Sequence, residues 1–205
     1  VDQTEEQQVE RIKEFWAEHG KGIIAGAIIG LGLFFGWRYY DKATIEAQNA
    51  ASRGYEAVVS QLNAGEEGAI TNAQNFIKSN PDSQYGYLAA LQLGRVAAEE
   101  GDLATAVTSF QSIIESGADD NLAAIARVRL ARVLSAQAQY QSALDVLNVE
   151  LPKAYSAFAN EIKGDVYAAQ GDVAKAREAY ESALNSDGST LSPAVELKLN
   201  SLAKS

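Results

Sequence analysis

The side chains able to do chemistry in this chain are few, and they point to recognition rather than turnover. His19 is the only histidine among 205 residues and there is no cysteine. That excludes thiol nucleophiles, disulfides, a lipid-modified cysteine and soft metal sites. His19 sits at the end next to the apolar run, so the domain from residue 43 onward holds no histidine–carboxylate dyad. The serines lack a nucleophile-elbow glycine setting, and the Gly-Asp pairs read as helix ends and caps rather than phosphate-cradling loops. Glu66-Glu67, Glu99-Glu100 and Asp119-Asp120 fall at turns and helix ends, where carboxylates are solvated. No enzyme, cofactor or metal is expected. What remains is a pair of arginines, Arg95 and Arg132, 37 residues apart; a guanidinium holds a carboxylate through two parallel N–H donors.

The elements that position them begin with a membrane anchor. Gly22 to Trp37, GIIAGAIIGLGLFFGW, has no charge, and Lys21 and Arg38 bracket it. As helix it rises about 24 Å, slightly short of a ~30 Å hydrocarbon core. Phe15, Trp16, Trp37, Tyr39 and Tyr40 supply interfacial aromatics that extend it. A cleaved leader fits less well, because bulky residues rather than a small-x-small site follow the run. Gly22, Gly26 and Gly30 recur every fourth residue, as do Gly32 and Gly36. Such spacing lets a second helix approach closely in lipid, although glycine is common in membrane helices anyway. The basic flanks, Arg11, Lys13 and Lys21 against Arg38 and Lys42, lean towards an N-in orientation without deciding it. Val1 and the absence of methionine predict a start upstream.

Before the anchor, Val9, Ile12, Phe15 and Trp16 share a helical face, which suits the lipid interface. After it, residues 43 onward carry 12 Lys/Arg against 20 Asp/Glu, a net charge of −8. So acidic a domain is no partner for nucleic acid. Helical spacing covers Ala43–Leu62 and Ala69–Ser79. From Gln84 on, helices alternate with breaks at Gly101-Asp102, Gly117-Ala118-Asp119, Gln139, Leu151-Pro152, Gly171-Asp172 and Ser186-Asp187-Gly188. No period-two alternation predicts a strand.

The repeat is the strongest signal. GDLATAVTSFQSII at 101–114 matches GDVAKAREAYESAL at 171–184, and the small residue recurs at Ala106, Ala143 and Ala176. Spacings of 37 and 33 bracket the tetratricopeptide period of about 34. Gly54 with Ala57, then Ala73 and Ile77, form a degenerate first unit, and Leu191 to Leu202 a capping helix behind Ser192 and Pro193. The expected fold is all-α: residues 1–21, an anchor at 22–40, and a tetratricopeptide-like solenoid at 43–205.

In such a solenoid the first helix of each repeat lines a concave face. That face would present Tyr55 and Val58, then Leu88, Leu91 and Arg95, then Ile125, Val128 and Arg132, and last Phe158, Glu161 and Asp165. Apolar walls with two aligned guanidiniums would suit an extended or helical peptide. The alternative is that the apolar members are inter-repeat core and that both arginines pair with acids such as Glu99 and Asp165.

The acidic start, QVERIKEFWAEHGK at 8–21, the Gly-rich anchor ending GWRYY at 36–40 and the repeat domain behind it together resemble the YfgM family, ancillary subunits of the bacterial SecYEG translocon. The resemblance covers essentially the whole chain. It implies a cytoplasmic N-terminus in the inner membrane, a periplasmic domain from about residue 41, and association with SecYEG and the membrane-anchored periplasmic chaperone PpiD. It also implies a part in passing exported proteins to chaperones. No catalytic residue comes with it. A scaffold for another envelope complex, or a cytosolic regulator, are the competing readings.

Overall fold

The computed structural model describes residues 2–186 and 192–202. It contains helices α1 (Asp2–Ala64), α2 (Ala69–Ser79), α3 (Gln84–Glu99), α4 (Leu103–Glu115), α5 (Asp120–Ala136), α6 (Tyr140–Leu147), α7 (Lys153–Ala169), α8 (Val173–Leu184) and α9 (Ser192–Leu202), with no strand among the described residues. The expected break at Ser186-Asp187-Gly188 lies outside the described residues from Asp187 on, as does Leu191. The chain divides into two units, Val1–Ala50 and Ala51–Ser205.

The first unit is helix throughout its described residues. Its large apolar side chains, from Ile23 and Ile24 through Leu33, Phe34 and Phe35, are exposed, as a lipid-facing surface requires. Among the described residues α1 is the one helix long and apolar enough to cross a membrane. Within α1, just ahead of the apolar run, Phe15 stacks on His19 with ring centroids 4.8 Å apart.

The second unit opens with the last turns of α1, where Val58 and Leu62 share a core with Ala69 and Ala73 of α2 and Leu93 and Val96 of α3. The helices then pair as the repeat predicts: α3 with α4, α5 with α6, α7 with α8, and α9 against α8. The main core runs through Phe110, Ile113, Leu130, Leu147 and Ile162. A third cluster joins Ala176, Tyr180 and Val195 under the cap.

Local chemistry sets the turns. Asp102 and Asp172 each accept the N–H of the residue three further on, Thr105 and Lys175, at 3.1 Å, which satisfies an orphan donor at each helix start. The glycines before them, Gly101 and Gly171, stand at φ +84° and +80°, a region that penalises a Cβ. The middle repeat puts Ala138 at that place, with φ +58°. Gln139 follows it and makes no side-chain cap.

Candidate partner-binding face

The first helices of successive repeats lie side by side: α5 packs on α7 and touches α3. Their shared face carries Leu88, Ile125 and Phe158, all half-buried against the main core. Leu91 and Val128, one turn on, are only 7% and 8% exposed. They serve the inter-repeat core and offer little surface to a ligand. Val58 is buried in the α1–α3 core. Tyr55 remains half-buried, its ring 5.8 Å from that of Tyr85.

The two arginines differ in freedom. Arg95 donates Nε to Gln92 at 3.0 Å, Nη1 to Glu99 at 2.7 Å and Nη2 to Asn63 at 2.7 Å. Three acceptors hold that guanidinium across α3 and the end of α1. Arg132 is 55% exposed and has one loose ion pair, Nη2 to Glu161 Oε2 at 3.8 Å. Asp165, the acid expected beside it, pairs elsewhere.

Glu161 and Asp165 are claimed by the cap. Lys198 of α9 donates to Glu161 at 2.7 Å and to Asp165 at 2.8 Å, and Tyr180 of α8 donates its hydroxyl to Asp165 at 2.8 Å. Glu161 is buried, and a carboxylate there needs such partners. Burial by itself would lower the Lys198 pKa; its hydrogen bonds to Asp165 and Glu161 outweigh that and the net shift is upward. Burial first, then the bond to Asp165, raises the Tyr180 hydroxyl.

A third arginine completes the face. Arg129, half-buried on α5, reaches across to α3 and donates Nη1 to the Leu91 carbonyl at 3.3 Å. Burial, then the charges of Arg95 and Arg132, lower its pKa. Repeat alignment passes over this residue, because its counterparts are Gln92 and Ile162. Only its place on the Ile125–Arg132 stripe would have flagged it.

In the first unit, Gly22, Gly26, Gly30, Gly32 and Gly36 are exposed, with nothing within 4 Å of where a Cβ would stand. Among the described residues no group of histidines, cysteines and acids is arranged to hold a metal.

The tetratricopeptide repeat-like domain family matches residues 13–204. The ancillary SecYEG translocon subunit of Escherichia coli K12 is 32% identical over 202 residues, 98% of each chain. The protein of the same description from Haemophilus influenzae is 29% identical, covering 97% of each. The chain belongs to the YfgM family. Among solved structures, one titled MamA RS-1 ArsTM double mutant superposes with a TM-score of 0.51 at 20% identity, over 75% of this chain and 94% of that one. That likeness concerns the fold alone. YfgM membership accounts for the order of parts, an apolar helix followed by repeats, and leaves the face just described to be read from its own chemistry.

Proposed function

We propose that this protein is a non-enzymatic, single-pass adaptor at the Sec translocon of the bacterial inner membrane. Residues 1–21 would face the cytoplasm, 22–40 span the bilayer, and the repeat domain from residue 43 stand in the periplasm. The observation that carries the reading is the end-to-end match to proteins described as ancillary SecYEG translocon subunits. One long apolar helix ahead of a repeat domain supports it.

On this reading the anchor binds lipid and lays its Gly22, Gly26 and Gly30 face, or that of Gly32 and Gly36, against a translocon helix. The repeat face of Tyr55, Leu88, Ile125 and Phe158, edged by Arg95 and Arg132, takes a polypeptide partner: a PpiD-like periplasmic chaperone or an exported chain. Leu91 and Val128 back that face from the core. Stacked helical repeats bind through such extended surfaces, and half-buried apolar side chains edged by guanidiniums suit a polypeptide that carries a carboxylate.

The test is affinity purification of the full chain from native membranes in mild detergent, with every co-eluting protein identified. Translocon subunits together with a periplasmic chaperone are expected. A different envelope complex would favour a scaffold role. Protease added outside the inner membrane should cut beyond residue 43; cleavage restricted to the N-terminal segment would reverse the orientation.

A further inference from the structure

We propose that Arg129, with Arg132 beside it, is the point on this face that recognises a carboxylate borne by an extended, otherwise apolar peptide segment. The proposal rests on the reading of the face as a polypeptide-binding surface and names the chemistry of what it binds.

Arg129 is a half-buried cation with five donors, and among the described residues it makes one hydrogen bond, a long one to a backbone carbonyl at 3.3 Å. Among the described residues it has no ion pair. The acids paired with the neighbouring cations are committed: Glu99 is held by Arg95 at 2.7 Å, and Glu161 by Lys198 at 2.7 Å. Neither is released to neutralise it. Two more guanidiniums, Arg95 and Arg132, add their fields at this position. A half-buried charge left without a counter-charge destabilises the fold that carries it. An incoming carboxylate would relieve that penalty through a bidentate, charge-assisted pair.

The surroundings narrow the ligand. Residues 43 onward carry a net −8, which repels a polyanion at range. A single carboxylate among uncharged residues meets the local positive stripe at little long-range cost. Leu88, Ile125 and Phe158, half-buried on the same face, offer contact to apolar side chains on either side of it. Peptide chemistry supplies this combination.

Binding to the full chain in detergent, read by fluorescence polarisation, tests the assignment. The probe is the blocked, fluorescein-labelled peptide Ser-Leu-Ala-Phe-Leu-Glu-Ala-Leu-Ser, compared with the same peptide carrying Gln for Glu. The Glu peptide should bind roughly tenfold more tightly, the scale of one charge-assisted hydrogen bond. Arg129→Gln should erase that preference yet keep the weaker binding of the Gln peptide. It should also raise the melting temperature of the unliganded protein, because the unpaired charge is gone. Arg129→Lys, which keeps the charge and loses the fork, should retain part of the preference. Equal binding of both peptides by the unaltered protein would overturn the carboxylate assignment and leave the peptide-binding face standing. Persistence of the preference in Arg129→Gln would also overturn it. Binding of neither peptide would overturn the face along with it.

Discussion

A Cβ on Gly94 would lie 2.6 Å from Cε1 of Phe110, so the ring of α4 rests directly on the backbone of α3. The same contact recurs between Gly164 and Tyr180, where the clash would be closer still, and Gly54 meets Phe76 at 2.6 Å. In the middle repeat the equivalent positions are Ala131 and Leu147, both buried in the main core. A smaller apolar side chain in the ring's place leaves room for one methyl.

That substitution pattern predicts a coupling. Gly94→Ala alone should destabilise the domain by about 1–3 kcal/mol, since a packed ring must move off its rotamer. Phe110→Leu alone leaves a void over Gly94 and should destabilise on a similar scale. The double variant rebuilds the Ala131–Leu147 arrangement and should recover at least about 1 kcal/mol of the summed loss. Thermal unfolding of the full chain in detergent measures all three. Strict additivity would show that the two sites do not share this contact.

Ala138 is a second departure from the repeat, and a correctable one. It stands at φ +58° where its counterparts are glycines, and Gln139 makes no cap where Asp102 and Asp172 do. An L-residue in the left-handed region is strained by roughly 1–2 kcal/mol, while a glycine there loses about 0.4–1 kcal/mol through the unfolded chain. Ala138→Gly should therefore stabilise by a fraction of a kcal/mol. Gln139→Asp should add about 1 kcal/mol as a new N-cap. Together they should raise the melting temperature by a few degrees, about 2–6 °C; no rise would mean that the α5–α6 turn relaxes its strain in another way.

These pairs show why the fold was legible and the site only partly so. Gly94 with Phe110 and Gly164 with Tyr180 lie at fixed separations within each repeat, so periodicity reveals them. The uncharged run at Gly22–Trp37 is legible for a similar reason, since length and composition suffice. Leu91 and Val128 sit one turn from Leu88 and Ile125, and only packing decides which of the two turns stays at the surface. Arg129 and Lys198 break the repeat. Each gains its meaning from a residue more than 30 positions away, Leu91 or Glu161, and no periodic comparison brings those together.

The anchor glycines give a prediction separable from the fold. Gly26→Ile and Gly30→Ile place bulk where the space is open, so insertion and thermal stability of the repeat domain should be unchanged. Close helix approach would be blocked. Recovery of translocon subunits in the affinity experiment should fall several-fold. Undiminished recovery would leave these glycines as filler and shift the translocon contact to the repeat domain or the N-terminal segment.

The cap carries a pH signature whose sign is fixed by Lys198 and Tyr180. Both groups titrate higher in the folded protein than their reference values of 10.5 and 10.0. For Lys198 the bonds to Asp165 and Glu161 overcome the opposing effect of burial; for Tyr180 burial leads and the bond to Asp165 adds to it. A raised folded pKa means stability that is complete below the unfolded value and lost as pH climbs through the folded one. Stability should thus be flat with respect to these two groups at neutral pH and fall above about pH 10. Lys198→Met should remove part of that alkaline loss. It should also lower stability at pH 7 by roughly 2 kcal/mol, because among the described residues buried Glu161 would keep only the cation of Arg132, at 3.8 Å. Tyr180→Phe preserves the ring over Gly164 and should blunt the remaining alkaline loss. Melting curves from pH 7 to 11.5, with hydrogen exchange on α9, separate the two contributions. An unchanged alkaline slope in the Lys198→Met, Tyr180→Phe double variant would show that the cap is held by Val195, with half-buried Leu199, in the core it shares with α8, and that the charges contribute little.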